Sequence, residues 1–213
     1  MTSTQNGSIS PGLRRIQAAA LRLFAETGST HLNVSDLAHA AGVARGTIYN
    51  NLPSTDGLFE QIAGQLSSEM SQRILAMLAP DDDPALRLAY GIRCFLRRAH
   101  DEPDWGRFLC RFALNNTTLL AVWNGPAMAD LHNGFERGRF KIQATQVPSM
   151  IALIGGTVLG AMFLVLEGHK SWREAGADAV ELALRGMGID ADEARALAAL
   201  PLPPLPPLTD TDS

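Results

Sequence analysis

The chain has 213 residues, 46% hydrophobic and 19% charged, enough for a mid-sized globular core. Its formal net charge of −4 argues against a protein that coats nucleic acid by charge alone. The two cysteines, Cys94 and Cys110, have no metal-type spacing and exclude a disulfide scaffold, and MTSTQNGSIS is too polar for a secretory signal; both observations point to a cytoplasmic protein with reduced thiols.

Taken in order, almost every segment is predicted helical, and no period-two strand pattern persists. Ile16, Ala19, Ala20, Leu23 and Phe24 form a first apolar stripe, and Gly28 is its expected C-terminal cap. Asn33 caps a second helix, with Leu37, Ala38 and Ala41 facing inward. A third spans residues 45–51 and stops at Pro53. Ser54 or Thr55 is expected to cap a fourth, whose stripe is Leu58, Phe59, Ile62, Leu66, Met70, Ile74 and Met77. Asp83-Pro84 is an N-cap with proline at the first helical position. Helices are then expected over residues 86–100, 105–115 and 119–137, with a turn over 134–140. Residues 148–166 form the most apolar helix, 172–186 an amphipathic one and 192–200 a short last one, before a proline-rich, extended tail.

The segment SDLAHAAGVARGTIYNNL, residues 35–52, spends its positions unlike a helix that only fills a core. Ala38 is thin where a second helix would cross, Gly42 permits a positive φ at the turn, and Val43 and Ile48 plug the space between. The outward face of the second helix carries Arg45, Thr47, Tyr49 and Asn50, side chains suited to phosphates and base edges in a major groove. This is a helix-turn-helix pattern.

The run LNVSDLAHAAGVARGTIYNNLPSTDGLFEQI resembles the DNA-binding region of the tetracycline-repressor (TetR) family, closely over about residues 12–65. The resemblance implies an all-α fold, with an N-terminal three-helix helix-turn-helix domain followed by a helical ligand-binding and dimerisation domain. We divide the chain into residues 9–55 for DNA binding, 56–200 for dimerisation and ligand binding, and 201–213 for the tail. It also implies a homodimeric regulator, a repressor, on a palindromic site in double-stranded DNA, released by an apolar or amphipathic small-molecule effector. Ser35, Thr47, Tyr49 and Thr55 are the expected phosphate contacts, Arg45 and Asn50 the base contacts, and Gly46 lies in the recognition run. Leu52, Asn51, Thr55 and Ala44 stand where the family commonly has Phe, His, Lys and Ser or Thr. Thr55 removes one cation per half-site, and Ala44 removes a helix cap worth about 1 kcal/mol.

Trp105, Phe108, Phe112, Trp123, Met128, Met162 and Phe163 supply the aromatic and thioether surface of an expected apolar effector pocket. A dimeric regulator without an effector is the alternative. Residues 142–166 carry no charge and include Gly156-xxx-Gly160, which reads either as a membrane span or as a buried helix in a soluble dimer; no basic cluster anchors the ends, and a buried or interface helix is the expectation. Asp81-Asp82-Asp83 is read as stabilising a helix start. No paired histidines, nucleophile–base motif or phosphate loop is present, so no metal, cofactor or enzymatic activity is expected.

Overall fold

The computed structural model describes residues 10–52 and 54–206, with backbone alone for residues 121–124. Eleven α-helices are present among the described residues, which divide into two compact units with the boundary between Ile62 and Ala63.

In the first unit, α1 (Pro11–Thr27) starts where Ser10 Oγ accepts from the Leu13 N–H, with Pro11 in the first turn. It ends at Gly28, whose N–H still donates to the Phe24 carbonyl and whose φ of 71° turns the chain out of the helix. Helix α2 (Val34–Ala41) is capped by the Asn33 side chain, which accepts from the Asp36 N–H at 2.8 Å. Gly42, at φ 62°, closes it and turns the chain into α3 (Arg45–Asn51), which pack together and against α1. As the Ala44 substitution implied, α3 starts without a side-chain cap. Ile16, Phe24, Leu37, Ile48 and Leu58 are fully buried in this small core, and Phe59 meets Phe24 edge-on with ring centroids 5.1 Å apart.

Helix α4 runs unbroken from Leu58 to Met77. It begins later than a cap at Ser54 or Thr55 would place it. Ser54 Oγ accepts from the Asp56 N–H, a local turn rather than a helix cap, and Gly57 at φ 77° finishes that turn. Pro53 lies outside the described residues.

In the second unit, α5 (Pro84–Asp101) is central, packed by α6 (Pro103–Phe112), α8 (Pro126–Glu136), α9 (Val147–Leu166), α10 (Trp172–Gly186) and α11 (Ala191–Ala199). Asp83 caps α5 by accepting from the Ala85 N–H, with Pro84 in the first turn. The single helix expected over residues 119–137 is two, α7 (Thr117–Asn124) and α8. Pro126 has no N–H to continue the ladder, and Gly125 turns the chain between them. The turn expected from residue 134 starts only after Glu136. Gly134 belongs to α8, and its lack of a side chain leaves room for Phe140, which folds back where a Cβ would stand. A 3₁₀ turn, Ala144–Gln146, leads into α9. A capping box of Ser171 and Glu174 starts α10, and Asp190 caps α11.

Residues 201–206 have no regular secondary structure. They are held: Arg93 donates to the Leu200 carbonyl at 2.5 Å and Arg73 to that of Pro206 at 2.8 Å. Burial pushes both thiols up to about 11, so neither is an activated nucleophile near neutral pH.

Candidate DNA-reading surface and ligand cavity

Helix α3 is held from α1 near both its ends. Arg15 donates to the Ala41 and Gly42 carbonyls, each at 3.0 Å, and Arg22 donates to the Ala40 carbonyl at 3.0 Å. Two guanidinium groups thus take up carbonyls left open at the end of α2 and fix the turn into α3. At the far end, Ser10 Oγ donates to Asn51 Oδ1 at 2.9 Å, while Asn51 Nδ2 donates to the Thr47 carbonyl at 2.8 Å.

The residues expected to touch DNA stand as follows. Arg45, Gly46, Tyr49 and Asn50 are exposed on α3, Tyr49 at 65%, and Thr47 is half-buried beside them. A Cβ on Gly46 would meet nothing within 4 Å, leaving open space for close approach from outside. Ser35 is exposed in the first turn of α2, and Thr55 is half-buried in the turn before α4. Ile48 is buried, as its plugging role requires; Val43 is half-buried. The contributions of Ser10, Arg15, Arg22 and Asn51 escaped the sequence reading, since nothing in the spacing shows which carbonyl an arginine will reach.

Seven residues were expected around a pocket. Trp105, Phe108, Phe112 and Met162 are buried, Phe108 and Phe112 with ring centroids 5.2 Å apart. Met128 is half-buried, Phe163 is 54% exposed, and the Trp123 side chain lies outside the described residues. A cavity open to solvent has a different lining. Ile74 of α4, Leu88, Ile92 and Phe95 of α5, and Ile154 and Val158 of α9 form its apolar walls. Phe95 packs on Trp105 with centroids 5.8 Å apart, so Trp105 backs the wall rather than facing the cavity.

The cavity's polar lining among the described residues is Ser71, Arg87 and Asp130. Arg87 Nε donates to Asp130 Oδ1 at 2.6 Å, with both side chains less than a tenth exposed. Arg87 Nη1 donates to the Ala79 carbonyl, also at 2.6 Å. Burial raises the Asp130 pKa, and the Arg87 hydrogen bond partly opposes that rise. A second buried cation, Arg98, joins three helices. It pairs with Glu69 of α4 at 2.9 Å and Glu102 at 3.2 Å, and lies 4.6 Å over the Trp105 ring.

A three-helix unit presenting a polar recognition helix, followed by a helical unit with an apolar cavity, defines a helix-turn-helix DNA-binding protein with a separate helical domain. The chain belongs to the tetR family of bacterial regulatory proteins: the family's N-terminal region matches residues 16–62, and its tetracyclin repressor-like C-terminal domain matches residues 83–200, more than half of the chain. It is a TetR-family transcriptional regulator. An uncharacterized HTH-type transcriptional regulator of Mycobacterium tuberculosis is 30% identical over 89 residues, 42% of this chain and 44% of that regulator's length. Among solved structures, RolR in complex with the ligand resorcinol is 25% identical, with a TM-score of 0.67 over 91% of this chain and 95% of RolR. A gamma-butyrolactone receptor (ArpA-like protein) shares the fold at 18% identity, with a TM-score of 0.69 over 88% of this chain and 95% of that one.

Proposed function

We propose that the protein is a ligand-responsive repressor that binds a palindromic operator as a cytoplasmic homodimer, with no catalytic role. DNA reading falls to residues 9–55 and dimerisation and effector binding to residues 56–200. One observation carries the reading: α4, which follows the recognition helix directly in sequence, supplies Ser71 and Ile74 to the cavity wall. A small molecule seated there presses on the helix from which the reading unit continues. The likeness to RolR, solved with resorcinol, supports a small effector.

Dimerisation is supported by the outer face of α9 and α10. Leu153, Phe163 and Leu182 are each at least half exposed, and Cβ atoms on Gly156 or Gly160 would meet nothing within 4 Å. The apolar helix α9, half-buried over its most hydrophobic window, thus retains an uncovered stripe that a second copy would cover. A two-fold dimer presents two copies of α3 to two half-sites. The test is a reporter driven by the chain's own upstream region, with footprinting of that region. Repression and a symmetric footprint are expected. Activation, or an asymmetric single-site footprint, would contradict the repressor and dimer assignments respectively.

A further inference from the structure

We propose that the cavity selects an uncharged, hydroxylated ring, and that Arg87 both reads the hydroxyl and passes its arrival to the end of α4. This rests on the cavity being the effector site. Arg87 and Asp130 are the charged groups among its described lining residues, and they already pair with each other at 2.6 Å. The site is therefore neutral before any ligand enters. A carboxylate that takes Arg87 leaves Asp130 buried without its counter-charge, and an ammonium that takes Asp130 strands Arg87. A hydroxyl does neither. It donates to Asp130 Oδ2 and accepts from Arg87 Nη2, two atoms without a hydrogen bond among the described residues, while the pair persists. The rest of the ligand must suit Ile74, Leu88, Ile92, Phe95, Ile154 and Val158, which favour an apolar body of ring size.

The same guanidinium holds the Ala79 carbonyl, two residues beyond the end of α4 at Met77. A hydroxyl that draws Arg87 toward the cavity loosens that bond and frees the turn after α4 from α5, while Ala79 keeps its local bonds to Asp82. Ligand binding and the position of α4 are thereby read by one side chain.

The experiment uses the full-length protein and three one-ring probes: a dihydroxybenzene, benzoate and benzylammonium. Binding is followed by calorimetry, and release by anisotropy of a labelled upstream DNA fragment. The dihydroxybenzene is expected to bind about tenfold or more tightly than either charged probe. It should weaken DNA binding about 5- to 150-fold. Asp130→Asn keeps the shape but leaves a net positive site, and should turn the preference toward benzoate, a reversal that a purely structural Asp130 would not produce. Arg87→Lys keeps the charge but cannot bridge Asp130 and Ala79 in the same fork, and should uncouple binding from release. Benzoate binding the native protein as tightly as the dihydroxybenzene, or none of the three binding, overturns the inference. So does a bound dihydroxybenzene that leaves DNA affinity unchanged. If the dihydroxybenzene binds equally well to an Ile92→Trp variant with a filled cavity, the effector site itself is elsewhere.

Discussion

Three of the four arginines in the reading unit's first 60 residues lie on α1, and two of those hold the end of α2. Arg45 is the cation carried by α3 itself, exposed at its start. If it reads guanine, Arg45→Ala should cost about 1–3 kcal/mol of operator affinity and relax specificity at one position per half-site. Titrations against operators varied base by base check this; a uniform loss with a shallower salt dependence would make it a phosphate contact instead. Asp83 yields a pH prediction. Arg139, donating from Nε and Nη2 at 2.9 Å, is the chief reason its carboxyl lies below the usual range. A depressed folded-state pKa contributes stability that is present above the unfolded value of 3.8 and is lost as pH falls through the folded one. Acid unfolding of Asp83→Asn, followed by circular dichroism, should therefore fall less steeply below about pH 4 than that of the native chain. Sequence showed the outward face of α3 because helical spacing separates Ile48 from Arg45, Tyr49 and Asn50. It could not show that Arg15 reaches a carbonyl or that Arg87 reaches a cavity, because both outcomes require the tertiary path. Nor does spacing single out Arg87, because α5 buries Arg93 and Arg98 as well.

At the scale of elements, boundaries were legible where one residue carries the signal. Gly28, Asn33, Gly42, Asp83-Pro84 and the span of α10 fall where their local chemistry predicts. Two of the departures from the sequence reading trace to single residues. Pro126 interrupts the hydrogen-bond ladder in a segment whose apolar periodicity runs through it, and Ser54 closes its own turn before α4 can begin. The cavity walled by Ile74, Leu88, Ile92, Ile154 and Val158 was not legible in the sequence for a related reason. Large aromatics pack as core, while a cavity forms where branched aliphatic walls leave space, and periodicity does not distinguish the two. Glycines on helices carry opposite expectations. Gly134→Ala places a Cβ inside the Phe140 ring and should destabilise the chain by about 1–3 kcal/mol in urea unfolding, as overpacking does. Gly156→Leu or Gly160→Leu enters open space within one protomer and should leave the fold intact. Sedimentation of these two variants is expected to show a folded monomer; a persistent dimer would place the interface elsewhere.

For the whole molecule, the resemblance carried in residues 32–62 extended correctly to the fold and family, whose models match residues 16–62 and 83–200. What the resemblance could not supply is the chemistry of the proposed effector, which on our proposal is set by this chain's own Arg87, Asp130 and surrounding aliphatics. Regulation by such an effector must be reciprocal: if it weakens operator binding, operator must weaken effector binding by the same factor. Both effects presuppose specific DNA recognition. The most direct test is the affinity of the purified protein for its own upstream region against random DNA of equal length, at about 0.15 M salt. A repressor that reads bases through α3 should prefer its operator by about 10³-fold or more. Equal affinity for both DNAs would contradict the account.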